Sequence, residues 1–230
     1  GNRHPLASTP RDPKAPVNSA LGLIALAENA SDTDRVKYLG LAKATLQKMT
    51  TLIKELSVWH EVDKMAVVSR LIDAKEFFTQ EIDLLSNQPE ARAIHIHLEI
   101  DSSTELRTDP IRLQAIFTNI LSNSIKYMDP SRLVKRIAIR VRIAAGLCEF
   151  EIKDNGIGMG EEHIPKIFDK FYRVNPDANG TGLGLHIVRD TLQRLGGEIQ
   201  VSSVVGEGSV LTMKIPNSLP ELTAKLTPAH

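Results

Sequence analysis

A single cysteine, Cys148, occurs in the 230 residues of the chain, which excludes an internal disulfide framework and any zinc site built from several thiolates. It lies in an apolar, strand-like run and fits a reducing compartment, so a cytoplasmic location is expected. Excess charge of one sign is also missing. The 28 Lys and Arg balance the 28 Asp and Glu, so the chain lacks the electrostatic footprint that holds a nucleic-acid backbone or an anionic membrane. No nucleic acid is expected as a partner. No apolar run approaches the roughly 20 residues needed to span a bilayer, and residues 1–16 lack the apolar stretch of a secretion signal. A membrane is therefore expected only through parts of a parent protein that this sequence does not contain, such as an inner-membrane anchor. What is present is 42% hydrophobic residues, enough to bury the core of one large domain beside a smaller companion.

The organisation changes along the chain. Four prolines in residues 1–16 predict a frayed or extended start. Residues 17–29 (VNSALGLIALAEN) then show helical apolar spacing, and the SDTD string at 31–34 offers caps for a second helix. In that helix Leu39, Ala42, Leu46, Met49, Ile53 and Leu56 recur in steps of three and four, which lays one apolar seam along it. Two helices this short cannot bury both apolar faces against each other. A homodimer is therefore expected, two copies forming a four-helix bundle; the alternative is that the seam packs on the chain's own second domain.

After Asp63 strands and helices alternate. Residues 67–72 read as a strand, 74–86 as a helix, and Ile94, Ile96, Leu98 and Ile100 as a half-buried strand. A helix over 109–127 follows, then two antiparallel strands joined at Ala145-Gly146, the second ending at Asp154. A glycine-rich region leads to a helix over 184–195 and a closing hairpin of 198–203 with 209–215. The expected class is α+β: a helical hairpin (residues 1–64), a two-layer α/β sandwich with helices on one face of one sheet (65–217), and a loose tail (218–230).

Four separated segments carry candidate chemistry. In RLQAIFTNILSNSIKY (112–127), Asn119, Asn123, Lys126 and Tyr127 fall on one helical face. Amide oxygens there suit a hard cation such as Mg²⁺, Lys126 suits phosphate and Tyr127 a base; the plainer alternative is an asparagine that bonds a neighbouring loop. In DNGIGM (154–159), Asp154 can accept from an exocyclic amine, and Gly156 and Gly158 permit close approach of a flat ring next to Met159. An ordinary turn is the alternative. KIFDKFYRV (166–174) places Phe168 and Phe171 three apart, a spacing that usually means core. GTGLGL (Gly180, Thr181, Gly182, Leu183, Gly184, Leu185) opens a helix, where bare N–H groups meet phosphates. Its glycine spacing is not that of a dinucleotide fingerprint, and residues 175–179 before it read as a lid.

Taken together and in this order, the four segments resemble the histidine kinases, within the ATPase superfamily that also includes gyrase, mismatch-repair ATPases and a heat-shock chaperone. TNILSNSIKY resembles their asparagine box, DNGIGM the first glycine box, FDKFYR the phenylalanine box and GTGLGL the second glycine box. The resemblance runs from about Arg11 to Pro216, and the short lid and helical hairpin set it apart from a hydrolytic ATPase. It implies ATP bound between the asparagine-box helix and the lid, with Asn123 and Asn119 on Mg²⁺. Asp154 is implied to read the adenine amine, with Phe168 also at the site. Lys126, Arg173 and the backbone of Gly182 and Gly184 are implied to face phosphate. The implied activity is phosphoryl transfer from ATP to a histidine, then to an aspartate of a response-regulator receiver domain.

The pattern breaks at its start. In RDPKAP (11–16) Asp12, Lys14 and Pro16 match the acceptor frame of the family, but Arg11 takes the place of the histidine. Phosphoryl transfer to imidazole needs a neutral nitrogen with a free lone pair, whereas guanidinium stays protonated and offers none. Self-phosphorylation at Arg11 is therefore not expected, and Asp12, the implied general base, would only pair with Arg11. Three explanations stay open: a degenerate kinase acting as an ATP-binding dimeric scaffold or switch, an altered form of an ordinary kinase, or a misplaced frame. His4 is the nearest substitute, but its spacing to Pro10 is wrong.

Overall fold

In the computed structural model, residues 15–175 and 180–217 are described. Helices α1 (Ala15–Glu28) and α2 (Asp32–Lys64) form an antiparallel hairpin. Ser31 caps α2, its Oγ accepting from the Asp34 N–H, and Arg35 reaches back to donate to the carbonyls of Ala27 and Ala30 at the end of α1. Small side chains let the helices approach: Ala20, Ala27 and Ala42 are buried. The larger seam residues are not covered, and Leu39, Leu46 and Ile53 remain exposed. Among the described residues nothing covers these three, while the seam residues Met49 and Leu56 are half-buried.

The remainder is an α+β arrangement. Its elements run β1 (Arg70–Ile72), α3 (Ala74–Ser86), β2 (Ile94–Ser102), β3 (Leu106–Thr108), α4 (Pro110–Lys126), β4 (Lys135–Ala144), β5 (Gly146–Asp154), α5 (Gly184–Leu195), β6 (Glu198–Val204) and β7 (Gly208–Asn217). Five strands form a mixed sheet in the order β2-β4-β5-β7-β6, with β2 and β4 parallel and the other pairs antiparallel. Alternation explains its two faces. Ile137, Ile139, Val141, Phe150, Ile152, Met213 and Ile215 are buried and pack with Phe78, Leu113, Ile116, Phe117, Ile120 and Leu121 of the helices. The opposite face carries cross-strand pairs such as Arg140–Glu99 at 3.4 Å and Lys214–Glu198 at 3.2 Å.

One strand expectation changes. The strand expected over 67–72 shrinks to Arg70–Ile72 and pairs with Leu106–Thr108, a strand with no sequence signal of its own. Residues 166–171 are turns and bends, within the glycine-rich stretch expected between β5 and α5, and Phe171 has φ +65°. The acceptor-frame residues Arg11 and Asp12 lie outside the described residues.

Candidate functional site

Helix α4 carries the first wall of the site. Asp109 caps it, with Oδ1 accepting the N–H groups of Ile111 and Arg112 at 3.1 Å each, and Leu113, Ile116, Phe117, Ile120 and Leu121 fix its rotation by facing the sheet. Asn119 and Asn123 are thereby left half-buried on the flank, with Lys126 exposed beyond them. The Asn119 amide nitrogen donates to Ala115 O at 2.7 Å, which turns Oδ1 the other way, toward Gly184. A Cβ at Gly184 would stand 2.8 Å from that oxygen, so a side chain there would push the Asn119 amide aside. Lys126 Nζ donates to the Tyr127 hydroxyl at 2.9 Å and reaches the space beside Gly180.

A cavity of about 110 Å³ opens beside α4, and Asp154 forms part of its lining. The carboxylate is nearly out of water. Its Oδ1 accepts the N–H groups of Gly156 at 3.0 Å and Ser209 at 3.2 Å, and its Oδ2 accepts the Ser124 hydroxyl at 2.9 Å. Burial pushes its pKa above the ordinary carboxylate value, opposed by those hydrogen bonds from Gly156, Ser124 and Ser209. Asn123, Tyr127, Gly158, Met159, Arg173 and Leu185 also line the cavity.

Several expected site residues stand elsewhere. Phe168 does not line the cavity; its ring lies 5.9 Å from the Arg189 guanidinium carbon and its carbonyl accepts from His186 at 3.2 Å. The turn puts Ile167, Tyr172 and Arg173 at the cavity instead. The glycines of DNGIGM are packed tightly against the protein's own backbone, and Gly158 also lines the cavity. A Cβ at Gly156 would meet Tyr127 O at 2.5 Å, and one at Gly158, where φ is +63°, would meet Val204 O at 1.9 Å. In the 180–185 loop Leu183 is buried as the anchor and Leu185 faces the cavity, while Thr181 and Gly182 are half-buried beside it. Thr181 Oγ1 donates to Glu55 Oε2 on α2.

Sequence reasoning missed three contributors. Ser124 follows Ile116 and Ile120 at four-residue steps, so it is a hydroxyl on the buried stripe of α4, and that was a legible signal. Ser209 pairs with Asp154 across the β5–β7 register, which becomes visible only once the strands are aligned. Arg112 is 2% exposed. Its guanidinium donates to Val62 O at 2.9 Å, Met65 O at 2.6 Å and Asp109 Oδ2 at 2.6 Å, binding the end of α2 to the start of α4.

Residues 108–219 match the family described as histidine kinase-, DNA gyrase B-, and HSP90-like ATPase. The methanogenesis regulatory histidine kinase FilI of Methanothrix harundinacea is 30% identical over 207 residues, 90% of this chain and 23% of that protein. The chain spans 23% of FilI, 12% of hybrid signal transduction histidine kinase B of Dictyostelium discoideum and 27% of the aerobic respiration control sensor protein ArcB of Escherichia coli. Among solved structures, full-length ShkA in complex with AMPPNP has a TM-score of 0.65 at 21% identity, over 90% of this chain and 44% of that one. The histidine kinase ThkA in complex with the response regulator protein TrrA has a TM-score of 0.67 at 20% identity, over 90% and 59%. At these identities the structural likeness is one of fold.

Proposed function

This chain belongs to the sensor histidine kinases and carries their ATP-binding catalytic domain; we propose that it binds ATP with adenine at Asp154 and the phosphates toward α4 and the 180–185 loop. The observation that carries this is the state of the Asp154 carboxylate. Both backbone N–H groups converge on Oδ1, and among the described residues Oδ2 accepts the Ser124 hydroxyl, which leaves Oδ2 a further accepting lone pair. An exocyclic amine supplies the single donor that such an acceptor needs. The apolar Ile167, Leu185 and Leu211 give a flat base somewhere to leave water.

At the phosphate end, Asn119 and Asn123 offer amide oxygens, a donor type that suits Mg²⁺. A bound Mg²⁺ would offset charge on the phosphate oxygens. Lys126 adds a cation beside Gly180, and the first N–H groups of α5 present the positive end of that helix. These groups position and neutralise, which is most of what phosphoryl transfer asks of a protein.

In the parent protein the γ-phosphoryl group would pass to a histidine and then to an aspartate of a response-regulator receiver domain. The ThkA complex with TrrA supports that class of partner. The open seam of Leu39, Leu46 and Ile53 supports a homodimer through the hairpin. Arg11 favours a second reading for this chain, an ATP-binding dimeric scaffold without its own acceptor, because guanidinium has no free lone pair to attack phosphorus.

Calorimetric titration of ATP onto the chain and onto Asp154→Asn tests the nucleotide assignment. Losing a charged acceptor should weaken binding by roughly ten- to a hundredfold with the fold intact. Equal affinity in the two proteins would refute adenine recognition by Asp154.

A further inference from the structure

The hairpin touches the proposed phosphate loop through one face of α2. Glu55, Trp59 and Asp63 are spaced four apart and so stack on one side of that helix. Glu55 accepts the hydroxyl of Thr181, Trp59 packs edge-on to the His186 ring at 5.8 Å with Lys170 Nζ 5.3 Å from its own centroid, and Asp63 pairs with Arg194. Thr181, His186 and Arg194 follow in the same chain direction, from the loop along α5. Arg112 fixes the far end of α2 by holding the carbonyls of Val62 and Met65.

Of these three contacts, the one made by Glu55 reaches the glycine-rich loop itself. The Thr181 hydroxyl has one proton to give, so it cannot donate to Glu55 and to a phosphate oxygen together. A carboxylate held beside that loop also opposes the arrival of a polyphosphate, since like charges brought close with limited water repel. Trp59 and Asp63 make contacts of other kinds, to α5 and to the 166–174 turn, that a phosphate chain does not contest. The single site of competition is therefore Glu55–Thr181.

We propose that this contact is an inhibitory hold: α2 of the hairpin restrains the phosphate-binding loop through Glu55, and a nucleoside triphosphate displaces Glu55 from Thr181 in order to bind. Motion of α2 that withdraws Glu55 raises the affinity for the triphosphate, which lets the hairpin regulate the nucleotide site. The proposal rests on the assignment of ATP phosphates to the 180–185 loop. Adenosine lacks phosphates and is indifferent to the hold.

The test is calorimetric titration of ATP with Mg²⁺, and separately of adenosine, onto the full 230-residue chain and onto Glu55→Ala. Glu55→Ala should bind ATP about tenfold more tightly, and adenosine with unchanged affinity, which also certifies its fold. ATP binding to Glu55→Ala and not to the unmodified chain is the extreme form of the same support. Equal or weaker ATP affinity in Glu55→Ala, with adenosine unchanged, overturns the hold and leaves the nucleotide assignment standing. ATP binding to neither protein overturns both.

Discussion

Asp154 has to remain an anion while almost out of water, and that tension sets the pH behaviour of the site. Burial raises its pKa, and three hydrogen bonds pull the other way. For binding the sign is direct: the ionised form accepts an amine, so ATP affinity should fall as pH drops through the raised pKa. For folding the sign is opposite. A carboxyl with a raised pKa favours the fold at pH values below its unfolded pKa, and that contribution is lost as pH rises through the raised value. Asp154→Asn should therefore melt no lower than the unmodified chain at neutral pH while losing nucleotide affinity, and a clear drop in melting temperature would contradict this balance. Asp154 itself was legible in the sequence because a carboxylate ended an apolar alternation. Ser209 was not, because its place opposite Asp154 depends on strand register. Phe168, placed at the site by its resemblance to the phenylalanine box, does not line the cavity, because the turn there presents Ile167, Tyr172 and Arg173 instead. Cys148, expected in a strand, is buried in β5 and its thiol is pushed up to about 12 by that burial, so it should resist alkylation until the chain unfolds.

Helix α4 joins the hairpin to the candidate site. Its apolar stripe faces the sheet, its flank holds Asn119 and Asn123, and its first turn binds the end of α2 through Arg112. The Arg112–Asp109 pair is buried on both sides, with N–O 2.6 Å. Removing one partner of a buried pair leaves an uncompensated charge, so Arg112→Met should cost about 3–5 kcal/mol. Denaturant unfolding should show that loss, and a change under about 1 kcal/mol would mean that the pair is dispensable. Long periodic elements such as α3, α4, α5 and the β4–β5 pair were readable because eight or more residues repeat one pattern. The three-residue strands β1 and β3 were not, since a run that short carries no period. The role of Arg112 was hidden for a different reason: its partners are backbone carbonyls 47 and 50 positions away.

The described residues form a hairpin whose seam residues Leu39, Leu46 and Ile53 are exposed, attached to an α+β unit. Among the described residues no helix is long and apolar enough to cross a membrane. Leu39 and Leu46 border a groove with Ile24 on the hairpin, and Leu46 is 46% exposed. A second copy covering that seam should make the chain sediment as a dimer, and Leu46→Glu should shift it toward monomer by placing a charge in the bundle core. Sedimentation of the unmodified chain as a monomer at micromolar concentration would remove the four-helix bundle from the account. The seam was visible in sequence as alternating steps of three and four.

The most direct test of the central claim, an ATP site without its acceptor, is incubation with γ-labelled ATP and Mg²⁺ of the chain and of Arg11→His. Acid-labile label on Arg11→His alone is the predicted result, since only imidazole offers a lone pair at that position. Label on the unmodified chain would show that another residue accepts phosphate, and label on neither would show that the site does not perform transfer within this chain.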